Sequence, residues 1–305
     1  VAGRTLLQQA LPTTFGLVAA GWLTALDAAA ARLAAVRGEG LAVQLGGAAG
    51  TQAAFGSAAA AITAAYAAEL ALPVPVLPWH TDRGRIAALA GALGQAAGAL
   101  GKVAKDVVLY AQTEVGEVHE AGDGDRGGSS AMPHKHNPVA ALAAAACAAQ
   151  APGLVATLLA AMPQEHQRAA GGWHAEWRPL TALLESTGSA AYWIRDCLGR
   201  LRVDPARMRT NLDATGGALL AERIAGALRS AGVDGAAGLV RDAAARATFG
   251  IGLVDALLAE PAVAAHLSRA EIEDLLDPAG YLGSAGPLVD RALAAHHEFV
   301  SGAAT

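Results

Sequence analysis

A chain of 305 residues that is 53% hydrophobic and only 16% charged, against about 25% charged in ordinary soluble domains, carries enough apolar helical surface to predict burial between subunits as well as inside one fold. A formal net charge of -5 and aromatic residues at 4% offer neither a basic stripe for phosphates nor a base-stacking platform, so a nucleic-acid partner is excluded. The two cysteines, Cys147 and Cys197, sit in apolar, helix-like surroundings, which predicts small core residues in a reducing compartment, the cytoplasm, without a disulfide framework.

In chain order, VAGRTLLQQALP has no basic region followed by an apolar run and does not read as a signal peptide. It does not open on methionine, so a processed, split or truncated form of something longer is expected. TFGLVAAGWLTALDAAAARLAAVRG (14 to 38) repeats apolar residues at helical spacing, and LAVQLGG (41 to 47) is a short strand-like piece that predicts a small hairpin. Pro73, Pro75 and Pro78 punctuate ALPVPVLPWHTD as a connector, after which 85 to 118 reads as one long helix and 119 to 137 as a polar stretch. A helix over 138 to 161 breaks at PQEHQRAAGGWHAEW and resumes through about 200. Runs of this length predict an all-α long-helix bundle.

From His136 to Glu165 no Asp, Glu, Lys or Arg intervenes, longer than the roughly 20 residues of a spanning helix. The stretch is mostly alanine and carries Gln150 and the helix-disturbing pair Pro152 and Gly153, so it reads as a bundle helix, with no membrane partner. Beyond 203, DPARMRTNL, SAGVDGAA and DPAGYLGSAGP delimit helices of about 8 to 15 residues. The expected division is a central helix-bundle domain, 1–204, and a small helical C-terminal domain, 205–305.

The segment EAGDGDRGGSSAMPHKHNP gathers polar groups in a chain otherwise poor in them. Asp123 and Asp125 begin like a calcium loop, but His134 stands where the bidentate glutamate is needed. His134 and His136 at i, i+2 form too small a metal site by themselves, and there is no Walker pattern for phosphate. A plain polar surface loop is the remaining alternative. Against it stands the order of the groups. Gly127 and Gly128 give flexibility, Ser129 and Ser130 give hydroxyls and backbone N–H donors, and Lys135 and Asn137 give a cation and an amide donor. Such a set can hold a carboxylate and touch its alpha carbon, the chemistry of proton transfer beside a carboxylate.

GSSAMPHKHNP (128 to 138) resembles the signature loop of the fumarase/aspartase superfamily, GSSxMPxKxNP, at every defined position. GRTLLQQALPTTFG (3 to 16) looks like the superfamily's GRTH block, and QTEVGEV (112 to 118) lies at the expected distance before the loop. PWHTDRGR, GGWHAEW and DPAGYLG are similar to the branch that lactonises 3-carboxy-cis,cis-muconate, and Leu6 stands where fumarases and adenylosuccinate lyases carry a histidine. The resemblance covers essentially the whole chain. It implies a fumarase/aspartase-type helix bundle with a smaller C-terminal domain, a homotetramer with active sites shared between subunits, and no cofactor or metal. It also implies a preceding N-terminal domain, which a separate N-terminal fragment would supply.

The activity so implied is closure of a tricarboxylate to 4-carboxymuconolactone in protocatechuate breakdown. Ser129 takes the proton-transfer role; Lys135 and Asn137 bind carboxylate; Ser130 and Met132 shape the loop at the substrate; Thr5 and Gln8 or Gln9 hydrogen-bond substrate or cap a helix. His80, His174 and Glu176 are further candidates beside the site or in its support, Trp173 and Trp177 are core or interface anchors, Arg4 is structural or steers a carboxylate, and Glu117 is expected in a structural ion pair. Two alternatives stay open: an adenylosuccinate-lyase-like elimination releasing fumarate, which Leu6 disfavours, and a non-catalytic helical oligomerisation remnant.

Overall fold

The structure is a computed structural model that describes residues 1–122, 126–247 and 252–303. Asp123 and Asp125, weighed above as calcium ligands, lie outside the described residues. Contacts divide the chain into two units, one of 22–112 and 118–202, the other of 1–21, 113–117 and 203–305. The expected domain 1–204 differs from this division at its N-terminal end. There residues 2–12 form an antiparallel hairpin, β1 (Ala2–Thr5) and β2 (Gln8–Pro12), whose side chains pair with residues near 117 and 211.

The first unit is built from α1 (Phe15–Ala35), most of which belongs here, α2 (Ala59–Glu69), α3 (Gly84–Tyr110), a short strand β3 (Val118–Glu120), α4 (Val139–Ala160) and α5 (Gly172–Arg200). Along α3 the buried set includes Ile86, Ala90, Leu93, Ala97, Leu100, Ala104 and Val107, and along α5 Glu176, Leu183, Thr187, Ala190, Ile194 and Cys197. Steps of four and three residues keep one seam facing the neighbouring helices in a left-handed bundle. Small residues recur on these seams, so the helices approach closely. A Cβ built on Gly101 would lie 3.1 Å from the Ala148 Cβ across the α3–α4 contact. Pro152 and Pro179 sit inside α4 and α5 without ending them.

LAVQLGG does not form the expected hairpin. The Val43 N–H donates to the Pro73 carbonyl at 3.1 Å, and the Trp79 indole donates to the Val43 carbonyl at 2.9 Å. The connector and one side chain thus satisfy the backbone that a strand partner would have paired.

The second unit adds α6 (Pro205–Asp213), α7 (Ala221–Ser230), α8 (Ala236–Ala247), α9 (Leu253–Leu258), α10 (Pro261–Ala264), α11 (Arg269–Leu275) and α12 (Ala285–Ala303). The run is more uneven than expected, because several turns are single-turn pieces while α12 spans 19 residues. Ile224, Leu228, Val240, Leu257, Val263 and Ile272 form its core. Its helix ends are capped locally: Asp204 accepts the Arg207 N–H, Ser268 and Glu271 make a capping box, and Arg223 donates to the carbonyls of Asp274, Leu275 and Asp277 at the C-terminal end of α11.

Three helical stretches, Phe15–Gly40, Gly84–Tyr110 and Val139–Ala160, are long and apolar enough to cross a membrane by length and composition alone. In α4 only 22% of the most apolar window is buried within the chain, so its seam is covered and its outer face is open. Replacing Gly101 by valine should cost about 1–3 kcal/mol through overpacking at the α3–α4 contact, measured as a lower urea midpoint at unchanged slope.

Candidate active site

Residues 127–138 form an irregular loop between β3 and α4. Gly127 has φ +80°, and its carbonyl accepts both the Asn137 N–H at 2.7 Å and the Asn137 side-chain amide at 3.0 Å. A Cβ at Gly127 would fall 2.7 Å from the Asn137 carbonyl oxygen, so only glycine fits there. The loop is thereby pinned shut at its base. Within it the Ser129 Oγ accepts the Met132 N–H at 3.2 Å, and the Met132 carbonyl accepts the Lys135 N–H at 2.9 Å. Ser130, Met132 and Lys135 are exposed and Ser129 is partly so.

The structure therefore gathers five predicted residues, Ser129, Ser130, Met132, Lys135 and Asn137, on one loop. Asn137 spends one amide hydrogen on the loop base, leaving the second N–H and the carbonyl oxygen of its side chain. His134 and His136 are exposed at the crest, and among the described residues no group of three His, Cys, Asp or Glu side chains is arranged to hold a metal ion.

Two further anchors were not anticipated. Pro138 at the start of α4 offers no side-chain cap. Glu120 on β3 takes that place, accepting the N–H groups of Ala140 at 3.0 Å and Ala141 at 2.8 Å, where a carboxylate also complements the helix dipole. At the other root of the loop, Arg126 pairs with Asp196 on α5. The Arg126 partner pulls the Asp196 carboxyl below its usual range.

The opposite end of the same helices holds a second polar cluster, built from PWHTDR and GGWHAEW. Arg83 and Glu176 form a buried, two-pronged pair, with Arg83 Nε 2.8 Å from Glu176 Oε1, and Gln164 donates to the same oxygen at 3.0 Å. Glu176 is thus a support, not a group open to substrate. His80 stacks edge-on against Trp173 with ring centroids 4.7 Å apart, and its Nδ1 lies 3.2 Å from Arg168 Nη1. Arginine only donates, so Nδ1 accepts and the neutral ring carries its proton on Nε2, a buried atom with no hydrogen-bond partner. Trp177, 52% exposed, and exposed His174 complete an aromatic wall around Trp173.

Thr5 and Gln8, the other predicted residues, face each other across the hairpin of the second unit, and both are exposed. Between them Leu6 and Leu7 adopt φ +51° and +64°, where bulky L-residues pay about 1–2 kcal/mol each. The hairpin is held by a buried knot in that unit. Arg4 reaches both Glu117 carboxylate oxygens, at 2.8 and 2.7 Å, and Asn211 donates to the same carboxylate at 2.8 Å. Glu117 is fully buried, so Arg4 and Glu117 are the structural pair expected. Gln9 donates to the Asn211 carbonyl at 3.0 Å, which leaves Gln8 as the exposed glutamine.

Residues 1–153 match the family described as lyase, and residues 217–292 the one described as adenylosuccinate lyase C-terminus. The chain is 49% identical over 299 residues to a 3-carboxy-cis,cis-muconate cycloisomerase of Pseudomonas aeruginosa, covering 97% of this chain and 65% of that one. It is 46% identical over 303 residues to a nitrosuccinate lyase of Streptomyces davaonensis, covering 96% and 64%. Among solved structures, the 3-carboxy-cis,cis-muconate lactonizing enzyme from Pseudomonas putida is similar with a TM-score of 0.89 at 44% identity, over 98% of this chain and 67% of that one. The chain spans about two thirds of the length of each.

Glu176→Ala should destabilise the protein by about 3–5 kcal/mol, because it strands the buried Arg83 charge; thermal melting measures it. Burial first, then the Arg168 and Arg83 charges, lower the His80 pKa below 6.5. The neutral ring's contribution to stability is therefore present above that value and lost as pH falls through the folded-state pKa. Arg168→Ala should raise the His80 pKa toward 6.5, read from its ring carbon resonance during an NMR titration.

Proposed function

This chain belongs to the lyase family of the fumarase/aspartase superfamily, and from that premise we propose that it closes 3-carboxy-cis,cis-muconate to 4-carboxymuconolactone in the cytoplasm, as a step in protocatechuate breakdown. One substrate carboxylate forms a C–O bond across a double bond, and a proton adds alpha to another carboxylate. The ring-closing carboxylate gives up its charge, so one proton is taken up from solvent. Charge builds on the aci-carboxylate, and its stabilisation is the main catalytic task.

The observation that carries this reading is the Met132 N–H aimed at the Ser129 Oγ. A serine hydroxyl is too weak an acid unless donors stabilise its oxyanion. A backbone N–H already directed at the oxygen, with the Lys135 cation on the same loop, supplies that stabilisation. Ser129 transfers the proton, Lys135 and the remaining donor of Asn137 bind carboxylate, and Ser130 and Met132 complete the loop wall. Thr5 and Gln8 are assigned to substrate hydrogen bonding by the resemblance of the GRTLLQQ block. The chemistry needs no cofactor or metal.

The bundle geometry supports sites shared between subunits of a homotetramer. The loop lies beside the end of α3 and the start of α4, whereas the His80 cluster lies beside the start of α3, about 40 Å away for 27 helical residues. One chain's loop and its own His80 cluster cannot meet around a small tricarboxylate. An antiparallel neighbour, covering the open face of α4, brings one chain's loop to another's Arg168 and His80, two donors for a further carboxylate. The 46% identity to a nitrosuccinate lyase favours one second reading, elimination from a substituted succinate, which uses the same proton transfer alpha to a carboxylate.

Loss of diene absorbance on addition of 3-carboxy-cis,cis-muconate tests the reaction, with the chain alone and with a polypeptide supplying the remaining third of the relatives' length. Turnover is expected; none under either condition, with nitrosuccinate consumed instead, selects the elimination. Ser129→Ala should lower kcat by about 100-fold or more, in the range of general acid–base contributions. A variant of full activity removes Ser129 from its role.

A further inference from the structure

The signature loop is set in place by residues far from it in sequence. Trp193, Asp196, Cys197 and Arg200 on α5 recur at i, i+3, i+4 and i+7, one face of a helix, and every one of them meets a root of the loop. The Arg126 guanidinium lies 5.6 Å from the Trp193 ring centroid and pairs with Asp196. Arg200 shares Asp196, its Nε donating to Oδ1 at 3.0 Å, and its own carbonyl accepts the Ala121 N–H at 2.9 Å. Cys197, fully buried, faces Glu120, and burial first, then the Glu120 charge, push the thiol pKa up; Glu120 is the residue that caps α4 through Ala140 and Ala141. Both strands of chain that enter and leave residues 127–137 are therefore referenced to the same stripe.

Between these roots the Met132 N–H donates to the Ser129 Oγ, and most of the crest is exposed. The closure of Gly127 onto Asn137 makes the base one rigid piece but does not say where that piece stands on the bundle. Arg126, next to Gly127 in sequence, links that base directly to α5. We propose that Arg126, held by Asp196 and Trp193, is a positioning residue for the reaction: it fixes the register of the Ser129 loop against α5 without touching substrate. This rests on the assignment of the loop as the catalytic element.

The test is Arg126→Ala beside Arg126→Lys, in the assembled protein, with two readouts. Arg126 is 27% exposed, so its truncation leaves the buried seams intact, and thermal melting of each variant verifies this. Turnover in Arg126→Ala should show kcat reduced by about 100-fold, the order expected when reacting groups are misplaced by about 1 Å, with KM held within about threefold. Arg126→Lys, which restores a cation to Asp196, should recover most of the loss. Amide exchange followed by mass spectrometry should be faster across 127–137 in Arg126→Ala, with 139–160 unchanged. Unchanged exchange in the loop, an unchanged kcat, or a loss that follows disassembly or melting overturns the proposal. If the unsubstituted protein turns over no tricarboxylate, the reaction fails, while the exchange comparison still decides whether Arg126 docks the loop.

Discussion

The seven-residue repeat of small side chains along α3 and α4, packed against α5, is the constraint from which the rest of the bundle follows. With Ala90, Ala97 and Ala104 on one seam, Ala141, Ala144, Ala148 and Ala151 on the next, and Ala190 on the third, small side chains leave little room between the helices for charged groups. Polar chemistry is consequently expelled to the two ends, where the helices stop and backbone groups lose their partners. Each end resolves that problem differently. At one, a buried arginine–glutamate pair fastens the connector to the first turn of α5; at the other, Glu120 and the pinned loop close the start of α4. The buried ion pair and the anchors of the loop lie at these two ends.

The hairpin of the second unit shows the same economy under a different load. Leu6 and Leu7 occupy left-handed backbone positions that favour glycine or asparagine, and Leu6 is 97% exposed. Neither packing nor turn preference maintains that conformation. The Arg4–Glu117–Asn211 knot does, by fixing both strands below the tip. A strained tip on a stiff base is a common arrangement where a turn is used rather than merely closed, and here it places Thr5 and Gln8 side by side.

The long helices were legible because alanine and leucine at helical spacing leave few alternatives, and the loop because its polar residues break an apolar background. Glu117 was expected in an ion pair, but its partners, Arg4 and Asn211, lie far from it in sequence. The hairpin was not legible, since Arg4, Thr5, Gln8 and Gln9 show no apolar alternation and their pairing depends on Asn211 and Glu117, remote in sequence. LAVQLGG misled in the opposite sense, because its short apolar run looks like a strand while its partners are a proline carbonyl and an indole. Arg126 was passed over in a polar run, although YWIRDCLGR carries the i, i+3, i+4, i+7 stripe that receives it. Spacing reveals a face; it does not say what lands on it.

Helix α5 touches both polar ends, Glu176 in its first turns and Asp196 near its last, about 30 Å apart along the axis at 1.5 Å per residue. It therefore acts as a ruler as well as a wall. A single residue inserted between the two would swing one set of anchors by about 100° relative to the other, parting either the loop or the connector from its support. Substitutions along its outer face leave that measure untouched. The length of α5, more than the identity of most of its residues, is what descent with variation in this bundle has to preserve.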